Sequence, residues 1–202
     1  MNNPEFVRIN EKKYKINTDY RVAIDCINIA EDNSIGEYEK GLAIIYKLFG
    51  DEGLKDSNNY EDLLCLAQRY LNLDKEIEDS KEEPDMDFKQ DMELIRISFM
   101  TDYNGLDIKD KEIHWWTFYN LVNGLSNSEF GNCCVLNRVR NLRNYDTSKI
   151  KDRKEREKIL KAKKEVSLKK DKKKIKLTQE EEESIREFNR LMKGEWFLWM
   201  VG

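Results

Sequence analysis

The stretch Ile113-His-Trp-Trp-Thr-Phe-Tyr-Asn-Leu-Val122 decides the fold class of this 202-residue chain. It is apolar around most of a helical circumference, and such a helix usually lies at the centre of a bundle. The single histidine of the chain lies here beside two tryptophans, so we expect it to have a structural role. Together with the preceding helix, the stretch is expected to supply the core residues His114, Trp115, Trp116, Phe118 and Phe99.

Helical patterns occupy most of the sequence on both sides of this stretch. Capping boxes, in which a Ser or Thr is followed three residues later by Glu, begin at Ser34, Ser126 and Thr178, with looser versions at Asn58 and Asp87. Glycines suited to the ends of helices are Gly50, Gly105 and Gly124. These signals predict helices near 19–31, 35–49, 59–73, 88–103, 110–123, 127–143, 147–165 and 179–199.

The N-terminus differs from the rest of the chain. Short apolar alternation on both sides of Asn10 and Glu11 predicts a small β-hairpin. The fold class is therefore all-α, a mainly helical bundle, with a small N-terminal β-hairpin and an extended C-terminal helical arm. We divide the chain into an N-terminal hairpin, a helical bundle core, a basic helical arm and a C-terminal amphipathic helix, at residues 1–17, 18–145, 146–177 and 178–202.

The net charge of −4 hides an uneven distribution. Residues 138–176 contain 18 Lys or Arg and 6 Asp or Glu, a net charge of +12, which leaves −16 for the remainder. Such a division favours an arm that binds an acidic partner or folds back onto its own acidic body. The arm could also follow the phosphates of a nucleic acid, but it lacks interleaved aromatic residues that would stack on bases. Its most basic positions are Lys169, Lys170, Lys172, Lys173 and Lys174.

The C-terminal segment ends in a run of apolar residues. Six consecutive apolar residues, Trp196 to Val201, are costly to leave in water. They either pack on the chain's own bundle or dock into a partner, since Trp and Met are favoured interface anchors. The candidate partner-binding residues are Phe188, Met192, Trp196, Phe197, Trp199 and Met200.

Signals for catalysis, metals and membranes are missing from the sequence. The four cysteines form no C-x-x-C pair, and a Gly-rich phosphate loop does not occur. Asp102, Asp107 and Asp110 lack the regular spacing of a calcium loop. No apolar run approaches 20 residues, and no signal peptide is recognisable. We therefore expect a non-enzymatic protein with no cofactor, no metal and no membrane contact, and with free thiols in a reducing cytoplasm.

Several of these motifs resemble a known family. Phe88 to Asp107, with its Tyr-x-Gly-x-Asp turn, is followed by His114-Trp-Trp-Thr-Phe118 and by Asp146-Thr-Ser-Lys149. With the opening Ile16-Asn-Thr-Asp-Tyr-Arg21, they resemble the bacteriophage "gene product fifteen" family of long-tailed phages and prophages of Gram-positive hosts. The resemblance covers about residues 5–168. In the family an Ile-Met-like step usually precedes the arginines, where this chain has Cys133-Cys-Val-Leu136.

The resemblance implies a role in assembling the phage tail. Genes for such proteins typically lie beside that of the major tail protein and just before that of the tape measure protein, the position of tail assembly chaperones. A chaperone of this kind would bind the tape measure, the major tail protein or both in the cytoplasm of the infected host, and would self-associate around its client. The alternatives are a structural tail or head–tail component of the virion, and a nucleic-acid-binding protein that uses the basic arm.

Overall fold

The β-hairpin expected at the N-terminus is present. In the computed structural model, which describes residues 3–75, 84–109, 111–128 and 132–169, β1 (Phe6–Ile9) pairs antiparallel with β2 (Lys12–Lys15). Asn10 takes a left-handed φ of 52° in the turn between them. Tyr14 is fully buried, and β2 packs against the second helix of the chain. The hairpin therefore contributes to the same core as the helices.

The remaining elements of the described residues are helical, as the sequence predicts. A short 3₁₀ turn, Ser57–Asn59, precedes the third helix. The α-helices are α1 (Tyr20–Glu31), α2 (Glu37–Leu54), α3 (Tyr60–Leu71), α4 (Phe88–Asp102), α5 (Trp115–Asn123), α6 (Val135–Asn144) and α7 (Arg153–Val166). The predicted helix 179–199, with its cap at Thr178, lies outside the described residues.

The helices pack against one another in a connected series. The first helix, α1, packs against α2, α4 and α5, and α2 also packs against α3. On the other side, α4 packs against α6, and α6 packs against α7. The α2–α3 pair and α7 are thus separated by α1, α4 and α6 in the series.

Aromatic rings fill the centre of this arrangement. Phe118 of α5 is fully buried, and its ring stacks on Tyr20 of α1 with centroids 4.3 Å apart. Phe99 of α4 approaches the same ring at 5.6 Å, and Trp115 approaches it at 6.0 Å. The helix expected to be central therefore does hold the aromatic core.

Two helices begin later than their capping boxes predict, and the backbone N–H of each serine is bonded to an aspartate instead. Both the backbone N–H and the hydroxyl of Ser34 donate to Asp32, and α2 begins only at Glu37. The backbone N–H of Ser126 donates to the Asp102 carboxylate, 2.8 Å away. The start predicted near 127 is therefore wrong, and α6 begins at Val135 behind Cys134, whose Sγ accepts from Asn137 N.

At the other helix boundaries, the local sequence signals succeeded at some positions and failed at others. At Asp87 the expected cap is present, since its side chain accepts from Gln90 N at 2.7 Å. At Gly50 the first helical stretch of α2 ends as predicted, because the glycine takes a non-helical φ of 66°, and a second short stretch continues beyond this kink to Leu54. The starts predicted near 110 and 147 are also too early, because α5 and α7 begin at Trp115 and Arg153.

Candidate functional site

A cleft lies between α2 and the beginning of α3. Its volume is about 390 Å³, and it is open to solvent along one side. The lining combines apolar, aromatic and acidic side chains, from Tyr38, Leu42, Ile45, Gly53, Leu54, Asp56, Asn58, Tyr60, Glu61 and Asp62. These residues come from two helices and from the segment that joins them. We call this feature the α2–α3 cleft.

Aromatic and apolar side chains form the accessible wall of the α2–α3 cleft. Tyr38 is 57% exposed and Leu54 is 40% exposed, so both side chains present apolar surface to solvent. The Tyr38 and Tyr60 rings lie 5.3 Å apart. Tyr60 can reach over α2 because residue 41 is glycine: a Cβ there would overlap the Tyr60 hydroxyl. Gly41 therefore fixes the position of one wall.

Carboxylates form the rim of the α2–α3 cleft. Asp56 accepts hydrogen bonds from Lys12 Nζ, 2.7 Å away, and from the Tyr14 hydroxyl. The bond from Lys12 is the main reason why the pKa of Asp56 lies well below its usual range. Glu61 and Asp62 occupy the first turn of α3, and both are exposed. Neither forms an ion pair with another residue that the structure describes.

The chemistry of the α2–α3 cleft is that of binding. A groove with apolar and aromatic side chains on its wall and charges on its rim can receive an amphipathic helix. The carboxylates on its rim favour a partner with basic residues beside its apolar stripe. Tyrosine is favoured in such surfaces because its ring is rigid and its hydroxyl remains hydrated.

Reactive groups elsewhere in the described residues are shielded or isolated. The cysteines are free, and burial raises the pKa of Cys26 to about 12, so its thiol stays protonated. The structure groups no three His, Cys, Asp or Glu side chains suitably for a metal ion within residues 3–75, 84–109, 111–128 and 132–169. Over the same residues, none of the helices is both long and apolar enough to cross a membrane.

The residues expected in the core lie on α4, on α5 and at the N-cap of α5, and none of them lines the α2–α3 cleft. Trp115, Phe118 and Phe99 are buried, whereas Trp116 and His114 are half-buried. His114 is the N-cap of α5: its Nδ1 accepts from Trp116 N at 3.1 Å. Its other ring nitrogen, Nε2, lies 3.0 Å from the carbonyl oxygen of Pro4 and donates to it. Both ring nitrogens are therefore satisfied.

The first and the central sequence motifs meet in space. Tyr20 N donates to Ile113 O at 2.9 Å, and Trp115 N donates to Thr18 O at 2.8 Å. These two backbone bonds join the start of α1 to the start of α5. The motifs 16–21 and 114–118 are far apart in sequence, yet backbone hydrogen bonds hold them side by side in the fold.

The basic arm is docked on the body as far as the structure describes it. The side of α7 that faces α6 is half-buried at Ile159, Ala162 and Val166. Lys169 N donates to the Gln90 side chain at 2.8 Å, and Gln90 Nε2 donates back to Lys169 O at 3.1 Å. The other basic-arm and partner-binding positions, Lys170, Lys172, Lys173, Lys174, Phe188, Met192, Trp196, Phe197, Trp199 and Met200, lie outside the described residues.

Sequence reasoning missed the α2–α3 cleft, although a signal was present. Tyr38, Leu42 and Ile45 follow helical spacing, and Tyr38 extends this apolar stripe beyond the part that a core helix needs. The region 51–62 also contains Asp51, Glu52, Asp56, Glu61 and Asp62 against Lys55. An apolar stripe that ends in an acidic segment is a pattern of an exposed binding surface.

Comparison with known proteins links the chain to one family. The family model described as "Bacteriophage Gp15 protein" matches residues 1–168, which include the α2–α3 cleft and all of α7. The comparisons with curated proteins and with solved structures gave no match.

Proposed function

Because this chain belongs to the bacteriophage Gp15 family, we propose that it is a non-enzymatic tail assembly chaperone that binds the tape measure protein, tail tube subunits or both. It would act in the cytoplasm of the infected host and release its client as the tail is built. The observation that carries this proposal is the α2–α3 cleft with its exposed Tyr38 and Leu54.

The cleft suits a long helical client. A tape measure protein exposes an amphipathic helix before the tube surrounds it, and such a surface aggregates unless it is covered. A groove that takes an apolar stripe at i, i+3, i+4 and i+7 can bind many successive segments of such a helix. Many copies of a small chaperone could then cover one client.

The proposal is tested by co-expressing the full chain with the adjacent tape measure protein and measuring how much client is captured and remains soluble. Tyr38→Ala combined with Leu54→Ser should reduce capture about tenfold or more, because the two side chains form the accessible apolar wall. The matched control is Tyr46→Ala, since Tyr46 is 51% exposed on the same helix but does not line the cleft.

Two outcomes would contradict the proposal. One is capture that is unchanged in the Tyr38/Leu54 variant when its melting curve matches that of the wild type. The other is recovery of the chain in purified virions at a fixed copy number, which would make it a structural tail or head–tail component instead. Mass spectrometry of purified particles separates a resident component from a chaperone that leaves.

A nucleic-acid-binding role has one observation in its favour, the exposed positive side chains of α7. A mobility-shift titration at two salt concentrations tests it, because binding that neutralises phosphates weakens steeply with salt. We expect no shift at physiological salt.

A further inference from the structure

Helix α7 presents an exposed surface whose charge is positive, whereas the rim of the α2–α3 cleft is negative. The helix contains seven Lys or Arg and three Glu, and it has no buried residue. Leu160 is 45% exposed, on a side of the helix that does not face α6. Arg156 and Lys164, four residues before and after it, lie on the same side and are exposed. We call Arg156, Leu160 and Lys164 the α7 stripe.

The α7 stripe and the α2–α3 cleft are complementary. One is a helix with a single apolar side chain between two positive charges. The other is a groove that combines the Tyr38 and Leu54 side chains with negative charges at Glu61 and Asp62. Residues 51–62 carry five carboxylates and one lysine, whereas α7 carries a net charge of +4. Opposite surface charges of this kind steer two proteins together and select their orientation.

The two surfaces lie on different ends of the helix series. The closest packing partners of α2 are α1, α3 and β2, and that of α7 is α6. Each copy therefore carries the α7 stripe at one end of the series of packed helices and the α2–α3 cleft at the other end. This arrangement is suited to contact between copies.

We propose that the α7 stripe of one copy docks in the α2–α3 cleft of a second copy when no client is bound. Leu160 enters the apolar wall formed by Tyr38 and Leu54, and Arg156 and Lys164 pair with Glu61 and Asp62 of the second copy. The contact is heterologous, so each copy has one stripe and one cleft to offer. Repetition then builds a ring or an open chain.

This docking rests on the proposed function of the cleft. It also explains how the exposed apolar side chains of the cleft are covered when no client is bound. Exposed aromatic and apolar side chains invite nonspecific association. A neighbour's helix held by a few exposed ion pairs covers them weakly, since such pairs are screened by salt and contribute little each. A client with a longer apolar stripe would displace the neighbour. Self-association and client binding therefore compete.

Charge reversal tests the docking with full-length chains and no client. In low salt, Arg156→Glu with Lys164→Glu should make the chain monomeric in light scattering, and so should Glu61→Lys with Asp62→Lys. Each change should weaken association by about tenfold or more, because attraction becomes repulsion. The matched control is Lys154→Glu with Lys161→Glu. It changes the charge of α7 by the same amount, but on a side of the helix about 100° away from the α7 stripe.

Mixing the two monomeric variants gives the decisive result. The α7 stripe of the cleft variant is still positive and fits the unchanged cleft of the stripe variant. The reversed stripe fits the reversed cleft in the same way. An equimolar mixture should therefore associate as the wild type does, although neither component does so alone.

Several outcomes would overturn the docking. The wild-type chain could stay monomeric in low salt, or the stripe variant could associate normally. The control variant could lose association as much as the stripe variant does. The mixture could stay monomeric while both of its components melt normally. None of them concerns client capture. If one of these outcomes occurs while the wild type still captures the tape measure protein, only the docking fails. If the wild type associates as described but captures no client, only the chaperone role fails.

Discussion

At the scale of the residue, the Arg143 side chain forms four hydrogen bonds to three other residues. Its guanidinium forms two hydrogen bonds to the Asp91 carboxylate, at 2.7 and 2.8 Å, and the Asp91 side chain is only 2% exposed. It also donates to the carbonyl oxygens of Asp85 and Val166. One side chain of α6 thus joins α4, the segment before α4 and the end of α7.

Replacing Arg143 with Met should lower the free energy of unfolding by about 3–5 kcal/mol, because Asp91 would remain buried without its counterion. The control is Arg140→Met on the same helix. Arg140 pairs with Asp85, but both side chains are about a third exposed, so its loss should cost about 1 kcal/mol or less. Urea denaturation of both variants measures the difference. Equal losses would show that the Arg143 pair is screened like a surface pair.

At the scale of the element, the adjacent tryptophans of α5 complete the end of α3. The last carbonyl groups of a helix lack partners within that helix. Trp115 Nε1 donates to Leu71 O at 3.0 Å, and Trp116 Nε1 donates to Tyr70 O at 2.9 Å. Neighbouring side chains of a helix point in different directions, yet both rings reach consecutive carbonyls because the end of α3 lies across the start of α5. The pair therefore joins two helices by hydrogen bonds as well as by packing.

Truncating each tryptophan should give unequal losses. Trp115 is 1% exposed, so Trp115→Ala should cost about 3–5 kcal/mol, as for a large aromatic removed from a core. Trp116 is half-buried, and Trp116→Ala should cost about 1–3 kcal/mol from the lost hydrogen bond and partial burial. Chemical denaturation of the two single variants measures both values. A larger loss at Trp116 than at Trp115 would contradict this assignment.

Element boundaries show what the sequence could and could not predict. The cap at Asp87 depends on the next three residues alone, and that prediction is confirmed. The caps predicted at Ser34 and Ser126 are not formed, and the backbone N–H groups of these serines donate to Asp32 and Asp102 instead. Asp102 lies on another helix, so its bond to Ser126 is visible only once the chain is folded. The same holds for the α2–α3 cleft, whose two walls come from separate helices.

At the scale of the whole molecule, the charge asymmetry has a structural outcome that the sequence left open. Of the two alternatives, binding an acidic partner or folding back, the described part of the arm does fold back, through α6 and Gln90. It nevertheless keeps Arg156 and Lys164 in solvent. Composition could predict a basic surface, but only the packing of α7 shows which of its charges remain available.

The described residues form a buried apolar cluster of their own. The buried apolar residues of the described chain run from Ile9 to Leu136 and form one cluster, inside a compact unit that spans Met1–Lys170. Deleting residues 178–202 should therefore leave the fold intact. The unfolding free energy should change by less than about 1 kcal/mol, equivalent to roughly 2–4 °C in Tm.

Client capture should respond differently to the same deletion. Phe188, Met192 and the apolar run from Trp196 have the composition of an interface anchor, so their removal should reduce capture of the tape measure protein. Trp196→Ser with Trp199→Ser in the full-length chain controls for the change in length. Melting curves, light scattering and co-expression on the same samples distinguish the possibilities. A fall in Tm well beyond 4 °C would place the segment in the core of its own chain, because a solvated anchor adds little to the stability of the body that carries it. Unchanged melting with unchanged capture would remove the segment from the client interface and leave the α2–α3 cleft as the surface that the client must use.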